Sequence, residues 1–261
     1  MKIGSAATPI DTRGQQFHIK MSTGELAENI LLVGDPARVH TIAQLFDEID
    51  YENENREFAG ISGKYQGMHV SVLSTGIGPS GTEIAILEAM QITQQPTFIR
   101  IGSCAGIPVH VQTNDYVIST AAVRLEAVST LYVYPGYPAV AHHEVVTALD
   151  RQCKTVKRKS HLGFTASTSS FYAGQARNFS RAPALNHDLL ADLTAMQVLN
   201  FEMEASTLFT LASLHHCKAG CLCMVFANRE ADTFIELDAI PAFELEAGEI
   251  GLNALLALAQ A

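Results

Sequence analysis

The sequence predicts an α/β fold with a mixed, partly barrel-like central sheet, and three observations carry that prediction. Short apolar runs of strand length alternate with stretches whose apolar residues recur at helical spacing. Glycine-rich turns follow several of the strand-like runs. The middle of the chain, roughly Tyr116 to Phe171, is β-rich, so the sheet is not expected to be purely parallel. In such folds ligands gather on loops outside the carboxyl ends of the strands.

The elements follow in order. Asn29 to Val33 is an apolar run that ends at Gly34-Asp35-Pro36, and it reads as a buried strand. Val39, Ile42, Ala43, Leu45 and Phe46 then recur at helical spacing. His69 to Ser74 is strand-like and runs into Thr75-Gly76-Ile77-Gly78-Pro79-Ser80-Gly81, while Glu83 to Gln91 has Ile86, Leu87 and Met90 on one helical face. Thr97 to Ile101 predicts a strand leading into a turn at Gly102-Ser103-Cys104-Ala105-Gly106. Helices are expected over Leu190–Val198, Ala205–His215 and Ile250–Ala259, with a buried strand over Cys221–Ala227. No repeat, low-complexity tract or linker interrupts the pattern, so one domain over residues 1–261 is expected.

Composition narrows the function. The chain is 48% hydrophobic and 17% charged, enough apolar material for a core and too little charge for disorder. Its 17 Lys and Arg against 27 Asp and Glu give a net charge of −10, a field that repels nucleic acid and anionic membranes yet leaves room for a local arginine pocket. The first residues lack the apolar core of a secretory signal, and no stretch reaches the roughly 20 apolar residues that span a bilayer. The five cysteines lie mostly among apolar neighbours, which suits free thiols in a reducing compartment, and a soluble cytoplasmic protein is expected.

Four constellations carry chemistry. Gly34-Asp35-Pro36-Ala37-Arg38 follows the first strand: a glycine allows close backbone approach to a ligand, and an arginine presents a planar fork to an oxyanion, although an ordinary strand-to-helix turn would look the same. Arg100 sits inside the apolar run Phe98-Ile99-Arg100-Ile101, where an unpaired charge is costly, and Gly102 and Ser103 follow it with further donors. This set describes a pocket for a phosphate-sized anion or a buried ion pair, and no nucleotide-binding glycine fingerprint accompanies it. Phe201-Glu202-Met203-Glu204 places two carboxylates on one face of an extended segment just before a helix, a pair suited to accepting hydrogen bonds from a diol such as ribose, or to the positive end of the helix. Phe171-Tyr172-Ala173-Gly174-Gln175-Ala176-Arg177 joins an aromatic platform, an amide and a guanidinium, which together match a planar heterocycle with adjacent O=C–N–H groups or form a plain surface loop. His215, His216, Cys217, Cys221 and Cys223 fit no metal-ligand spacing and read as mostly buried thiols. No side-chain nucleophile is apparent.

Taken in order, Gly34-Asp35-Pro36-Ala37-Arg38-Val39, Arg56-Glu57-Phe58, Ser74-Thr75-Gly76-Ile77-Gly78, Arg100-Ile101-Gly102-Ser103, the block from Phe171 to Arg177 and Asn200-Phe201-Glu202-Met203-Glu204 resemble the nucleoside phosphorylase-I family, and within it the uridine-cleaving branch. The similarity runs from about Phe17 to the C-terminus. It implies a three-layer α/β/α sandwich and phosphorolysis of uridine to uracil and ribose 1-phosphate, with inorganic phosphate as co-substrate and no cofactor. By the same resemblance, Gly34, Arg38, Arg100 and Ser103 would hold phosphate, with Arg56 completing the site from a neighbouring subunit. Glu204 and Met203 would hold the ribose, and His18 would reach its 5′-hydroxyl across the interface. Gln175 and Arg177 would read the base, with Phe171 packed on it and Arg229 nearby; Arg100, Gln175, Arg177 and Glu204 would carry the catalysis. Glu57 and Ser74 match positions that bind a potassium ion between subunits in some members. A dimer is the implied minimal active unit, within a hexamer.

Purine-cleaving relatives often carry an aspartate at the position of Asn228, so Asn228-Arg229 and the Gln175-x-Arg177 pair point to a pyrimidine. The chain departs from the branch at Pro79-Ser80-Gly81, which follows Gly78 directly, at Ser103-Cys104-Ala105, which looks closer to purine-cleaving members, and at Ala173 and Ala176. A phosphorylase for purine or modified nucleosides, a hydrolytic nucleosidase and a non-catalytic nucleoside-binding protein are therefore the competing readings.

Overall fold

A computed structural model describes residues 3, 5–177, 181 and 188–260, so the N-terminal stretch read above for a secretory signal lies partly outside the described residues. The chain runs β1 (Asn29–Val33), α1 (Pro36–Ala43), β2 (Glu48–Asn55), β3 (Phe58–Tyr65), β4 (Met68–Ser74), α2 (Pro79–Ile92) and β5 (Thr97–Gly106). Then come β6 (Tyr116–Leu125), β7 (Ala139–Val140), α3 (His143–Thr155), β8 (Ser160–Thr168), α4 (Leu189–Ala195), β9 (Val198–Glu202), α5 (Ala205–Leu214), β10 (Lys218–Asn228), β11 (Thr233–Phe234) and α6 (Ile240–Ala259).

Strand β5 is the hub. It pairs in parallel with β1 over its first half, Thr97 to Ile101, and with β10 along its whole length, and at its far end antiparallel with β9 through Ala105 opposite Phe201. The ring β5–β10–β6–β8–β9 closes on itself, a five-stranded barrel that leaves no free edge within the ring. From the other side of β5 the sheet continues through β1, β4, β3 and β2. Parallel and antiparallel pairs mix throughout, as the β-rich middle of the sequence predicts.

Period-2 alternation makes the layers. In β1, Leu31 and Val33 pack with residues of α1, α3 and α6, whereas Ile30 and Leu32 pack with residues of α2 and α5. Helices therefore cover both faces of the sheet, the α/β/α sandwich implied above. All five cysteines are free and buried. Among the described residues no helix is long and apolar enough to cross a membrane.

Two loops set up the site. Asp35 caps α1 by accepting the Ala37 amide at 2.9 Å, and Pro36 opens the helix where its missing N–H matters least. Gly78 precedes α2 with φ of +97°, and a Cβ at Gly81 would fall 2.1 Å from the Thr75 carbonyl oxygen. The loop into α2 can fold this tightly only with glycine at both places, so the Gly78-Pro79-Ser80-Gly81 arrangement has its own steric logic.

Four expectations need correction. Gly102 to Gly106 is not a turn but the second half of β5, because closing the barrel requires β5 to reach β9 and the end of β10. The helix expected over Leu190–Val198 stops at Ala195; Gln197 turns left-handed (φ +58°) and Val198 opens β9 opposite Phe164. Strand pairing there overrides apolar periodicity that suits either state. The segment 201–204 is extended only to Glu202, since Glu204 already has φ −130° and ψ −26° at the head of α5. The final helix is also ten residues longer than predicted, starting at Ile240.

Candidate active site

A cavity of about 640 Å³ opens at the carboxyl ends of β1, β5 and β10 and is walled by the loops after β1, β4 and β8 and by the β9–α5 junction. Gly34, Arg38, Glu57, Arg100, Ser103, Phe171, Gln175, Arg177, Met203 and Glu204 all line it. Thus ten of the residues singled out in sequence, spread over 170 positions, meet in one place. His18, Arg56, Ser74 and Arg229 do not line it.

Arg100 forms the floor. It points to the α2–α5 side of β5, opposite to Ile99 and Ile101, and its guanidinium folds back over Gly102, where any Cβ would come within 3.0 Å of Cζ. The side chain is buried and ion-paired to Glu204 through Nη2, with Nε 3.5 Å from Glu202. Burial works against its charge, but Glu204, followed by Cys221 and Glu202, more than offsets this, and its pKa moves up. Nη1 has no hydrogen-bond partner among the described residues, and an unsatisfied buried donor costs about 1–3 kcal/mol, which is a physical reason to expect an anionic ligand there. Cys221 and Cys223 flank it from β10, and Cys104 lies on the cavity wall.

The two carboxylates divide their work. Glu202 caps α5: one oxygen accepts the amides of Glu204 and Ala205, each at 2.8 Å, and the other accepts the Ser167 hydroxyl. Burial pushes the Glu202 carboxyl up, the adjacent Glu204 charge adds to this, and Arg100 opposes it. Glu204 lines the cavity between Arg100 and the Gly78 amide, which donates to its Oε1 at 2.5 Å. Glu204 is the carboxylate placed to meet a ligand, and Glu202 holds the backbone that presents it.

Arg38 is buried, with Nε and Nη2 donating to Glu244 of α6 (3.0 and 2.6 Å) and Nη1 to the Ile101 carbonyl (3.2 Å). Glu244 was invisible to sequence reasoning because it lies 206 positions away. Ser103 and Gly34 line the cavity with it.

Phe171, Gln175 and Arg177 reach the cavity from the loop after β8. The Arg177 guanidinium lies 4.2 Å from the Phe171 ring centroid, and its Nη2 donates to Gln175 Oε1 at 3.4 Å. Burial, and then the nearby Arg229 charge, lower the pKa of Arg177. Arg229 stands behind this loop: it donates to the carbonyls of Gln175 (2.5 Å) and Ala176 (3.2 Å), fixing a turn in which Ala176 has φ of +50°. Phe226, Ala227 and Phe234 add an apolar wall from β10 and β11 that sequence reasoning missed, because nothing local distinguishes them from core residues. Asn228 is structural: its amide nitrogen donates to the carbonyls of Pro108 and Val111, and its oxygen accepts the Ala231 amide.

The remaining predicted residues lie apart. Arg56 is exposed at the left-handed turn between β2 and β3. His18 is docked on α2, its Nδ1 2.7 Å from Glu88, which also accepts the amides of His18 and Ile19. Ser74 donates to the Glu57 carbonyl and accepts the Ala59 amide, and the Glu57 side chain turns away to pack on Gly76. Within one chain the Ser74 hydroxyl is thus engaged by backbone groups of Glu57 and Ala59 rather than by the Glu57 side chain.

Residues 29–259 match the model of the phosphorylase superfamily, whose members share this barrel-centred α/β architecture. The chain belongs to the phosphorylase superfamily. It is 43% identical to a uridine phosphorylase of Thermococcus kodakarensis over 99% of this chain and 92% of that one. It is 36% identical to a uridine phosphorylase of Haemophilus influenzae, over 93% and 98%. A guanosine phosphorylase of Halorubrum lacusprofundi is 30% identical over 94% and 99%.

Proposed function

We propose that this chain is a pentosyltransferase that cleaves uridine with inorganic phosphate, giving uracil and ribose 1-phosphate. One observation carries the reading: a single cavity unites the buried donor Arg100 and the half-buried Ser103, the carboxylate Glu204 and the amide–guanidinium pair Gln175 and Arg177. Anion donors, a diol acceptor and a heterocycle reader are the three kinds of group that phosphate, ribose and base require.

Breaking the glycosidic bond builds positive charge on the ribose and negative charge on the leaving base. Phosphate held by Arg100, Ser103, Gly34 and Arg38 stabilises the first and sits as the nucleophile, while Gln175 and Arg177 donate to the base as it becomes anionic. Phe171 packs on the base, and Arg229 keeps the reading loop in shape by holding the Gln175 and Ala176 carbonyls. Glu204 and Met203 hold the ribose. No protein nucleophile is required. The sites are completed in a homo-oligomer, a dimer at least and a hexamer in full, in which Arg56 and His18 reach a neighbour's cavity; the enzyme acts in the cytoplasm.

A second reading has its own support. Ser103, Cys104 and Ala105 line the cavity wall, and one relative is a guanosine phosphorylase, so purine cleavage is the competitor. Release of free base from uridine, thymidine, inosine and adenosine, each with and without phosphate, decides between them. Uracil released only with phosphate is the expected outcome; purine release would transfer the assignment to the second reading. Turnover without phosphate would make the protein a hydrolase, and binding without turnover would make it a nucleoside-binding protein.

A further inference from the structure

We propose that Glu126 is a positioning residue for Glu204, acting through the first turn of α5; the proposal rests on the reading of Glu204 as the ribose-binding carboxylate. Glu126 follows β6, is 5% exposed and is not among the residues that line the cavity. A buried carboxylate is tolerated only when its oxygens are hydrogen-bonded. Here Oε2 accepts the Ser129 amide at 3.0 Å, and Oε1 accepts the hydroxyls of Ser129 and, at 2.9 Å, Ser206. Arg124 donates to the Ser129 hydroxyl at 2.9 Å and brings a positive charge to the cluster. The Ser129 contacts close a local turn. The Ser206 contact spans 80 positions and closes none, so it has another consequence.

That consequence lies in the geometry of α5. Ser206 is the second residue of the helix, and its amide donates to the Ser167 hydroxyl at 2.9 Å, which in turn donates to Glu202. Glu202 accepts the amides of Glu204 and Ala205. The first turn of α5 is thus held through its backbone amides by Ser167 and Glu202 and through the Ser206 hydroxyl by Glu126, and Glu204 is the residue that this turn presents. The segment after Glu126 is also latched to both helices flanking Glu204: the Tyr132 hydroxyl donates to Glu83 of α2, and the Tyr137 and Ser213 hydroxyls meet at 2.9 Å on α5. Glu126 has no contact with the cavity, so its effect on the reaction passes through Ser206.

The test is Glu126→Gln, which keeps the shape but turns one acceptor into a donor facing donors. Ser206→Ala is the second variant, because it removes only the linking hydroxyl and is compatible with the helix should Glu126→Gln fail to fold. Both are assayed on uridine and 2′-deoxyuridine beside the wild-type protein. A misplaced Glu204 loses its contact to the 2′-hydroxyl, so kcat/KM falls about tenfold on uridine and much less on 2′-deoxyuridine, compressing the ribose preference. The double variant loses no more than the worse single variant, since both act on one link. Equal losses on the two substrates, multiplying losses in the double variant, or no loss overturn the proposal while leaving the functional reading intact. If the wild-type protein cleaves a different ribo- and 2′-deoxyribonucleoside pair, the base assignment fails alone and the same ratio is read on that pair. A wild-type protein that turns over no pair sinks both.

Discussion

Arg100 presents the clearest case of a residue whose surroundings define it. Removing its guanidinium leaves Glu202 and Glu204 buried side by side without their cation, and breaking such a pair costs about 3–5 kcal/mol. Arg100→Ala is therefore expected to lower the melting temperature by roughly 6–20 °C, at about 2–4 °C per kcal/mol for a chain of this size, and to abolish phosphate-dependent turnover. An unchanged melt would contradict the structural part. Gln175 differs: its side chain is buried at the cavity wall and, among the described residues, bonded weakly to Arg177 alone. Gln175→Ala should fold normally and lose about 10²–10³ in kcat/KM for uridine, the usual effect of deleting one preorganised donor. Full retained activity would remove it from base recognition. Arg100 was legible in sequence because a charge inside an apolar strand has few explanations. Glu244 and Glu126 were not, since each owes its role to a partner far along the chain, Arg38 and Ser206 respectively.

At the scale of elements, α3 packs its apolar face on the start of the barrel, and Cys153 lies on that face fully buried. Burial, with Asp150 adding to it, pushes the Cys153 thiol from an ordinary 9.0 up to about 12. A thiol whose pKa is higher in the folded state favours folding fully below pH 9, and the contribution disappears as pH rises toward 12. Thermal melts between pH 8 and 11 should therefore fall more steeply for the wild-type protein than for Cys153→Ala; equal slopes would refute the burial argument. The same element scale explains the misreadings at Leu190–Val198 and Gly102–Gly106. Val198 and Ala105 belong to strands because β8 and β9 offer backbone partners, an advantage that local propensity does not contain.

For the whole molecule, closing the barrel brings the loops after β1, β4 and β8 and the head of α5 around one cavity, while Arg56 and His18 stay outside it. If those two serve a neighbour, sites are shared, and inactive subunits can rescue each other. Co-expressed Arg56→Ala and Glu204→Gln chains should regain about a quarter of wild-type activity, because random pairing makes about half the dimers hybrid and each hybrid holds one intact site. No recovery, or a fully active monomer, would place Arg56 elsewhere.

What the sequence determined by itself is the class of fold, the existence of most strands and helices around the site though not all their ends, and ten of the residues that line the cavity. Those features depend on local signals: period-2 and helical apolar patterns, glycines where the backbone is crowded, and charges set among apolar neighbours. Only the tertiary structure decided that β5 runs on to close a barrel, that Glu202 caps while Glu204 faces the cavity, that Arg229 and Asn228 hold backbone, and that Glu244 pairs with Arg38. Each of these depends on which distant groups become neighbours, and a hydrogen bond or ion pair exists only once folding has brought its two ends together.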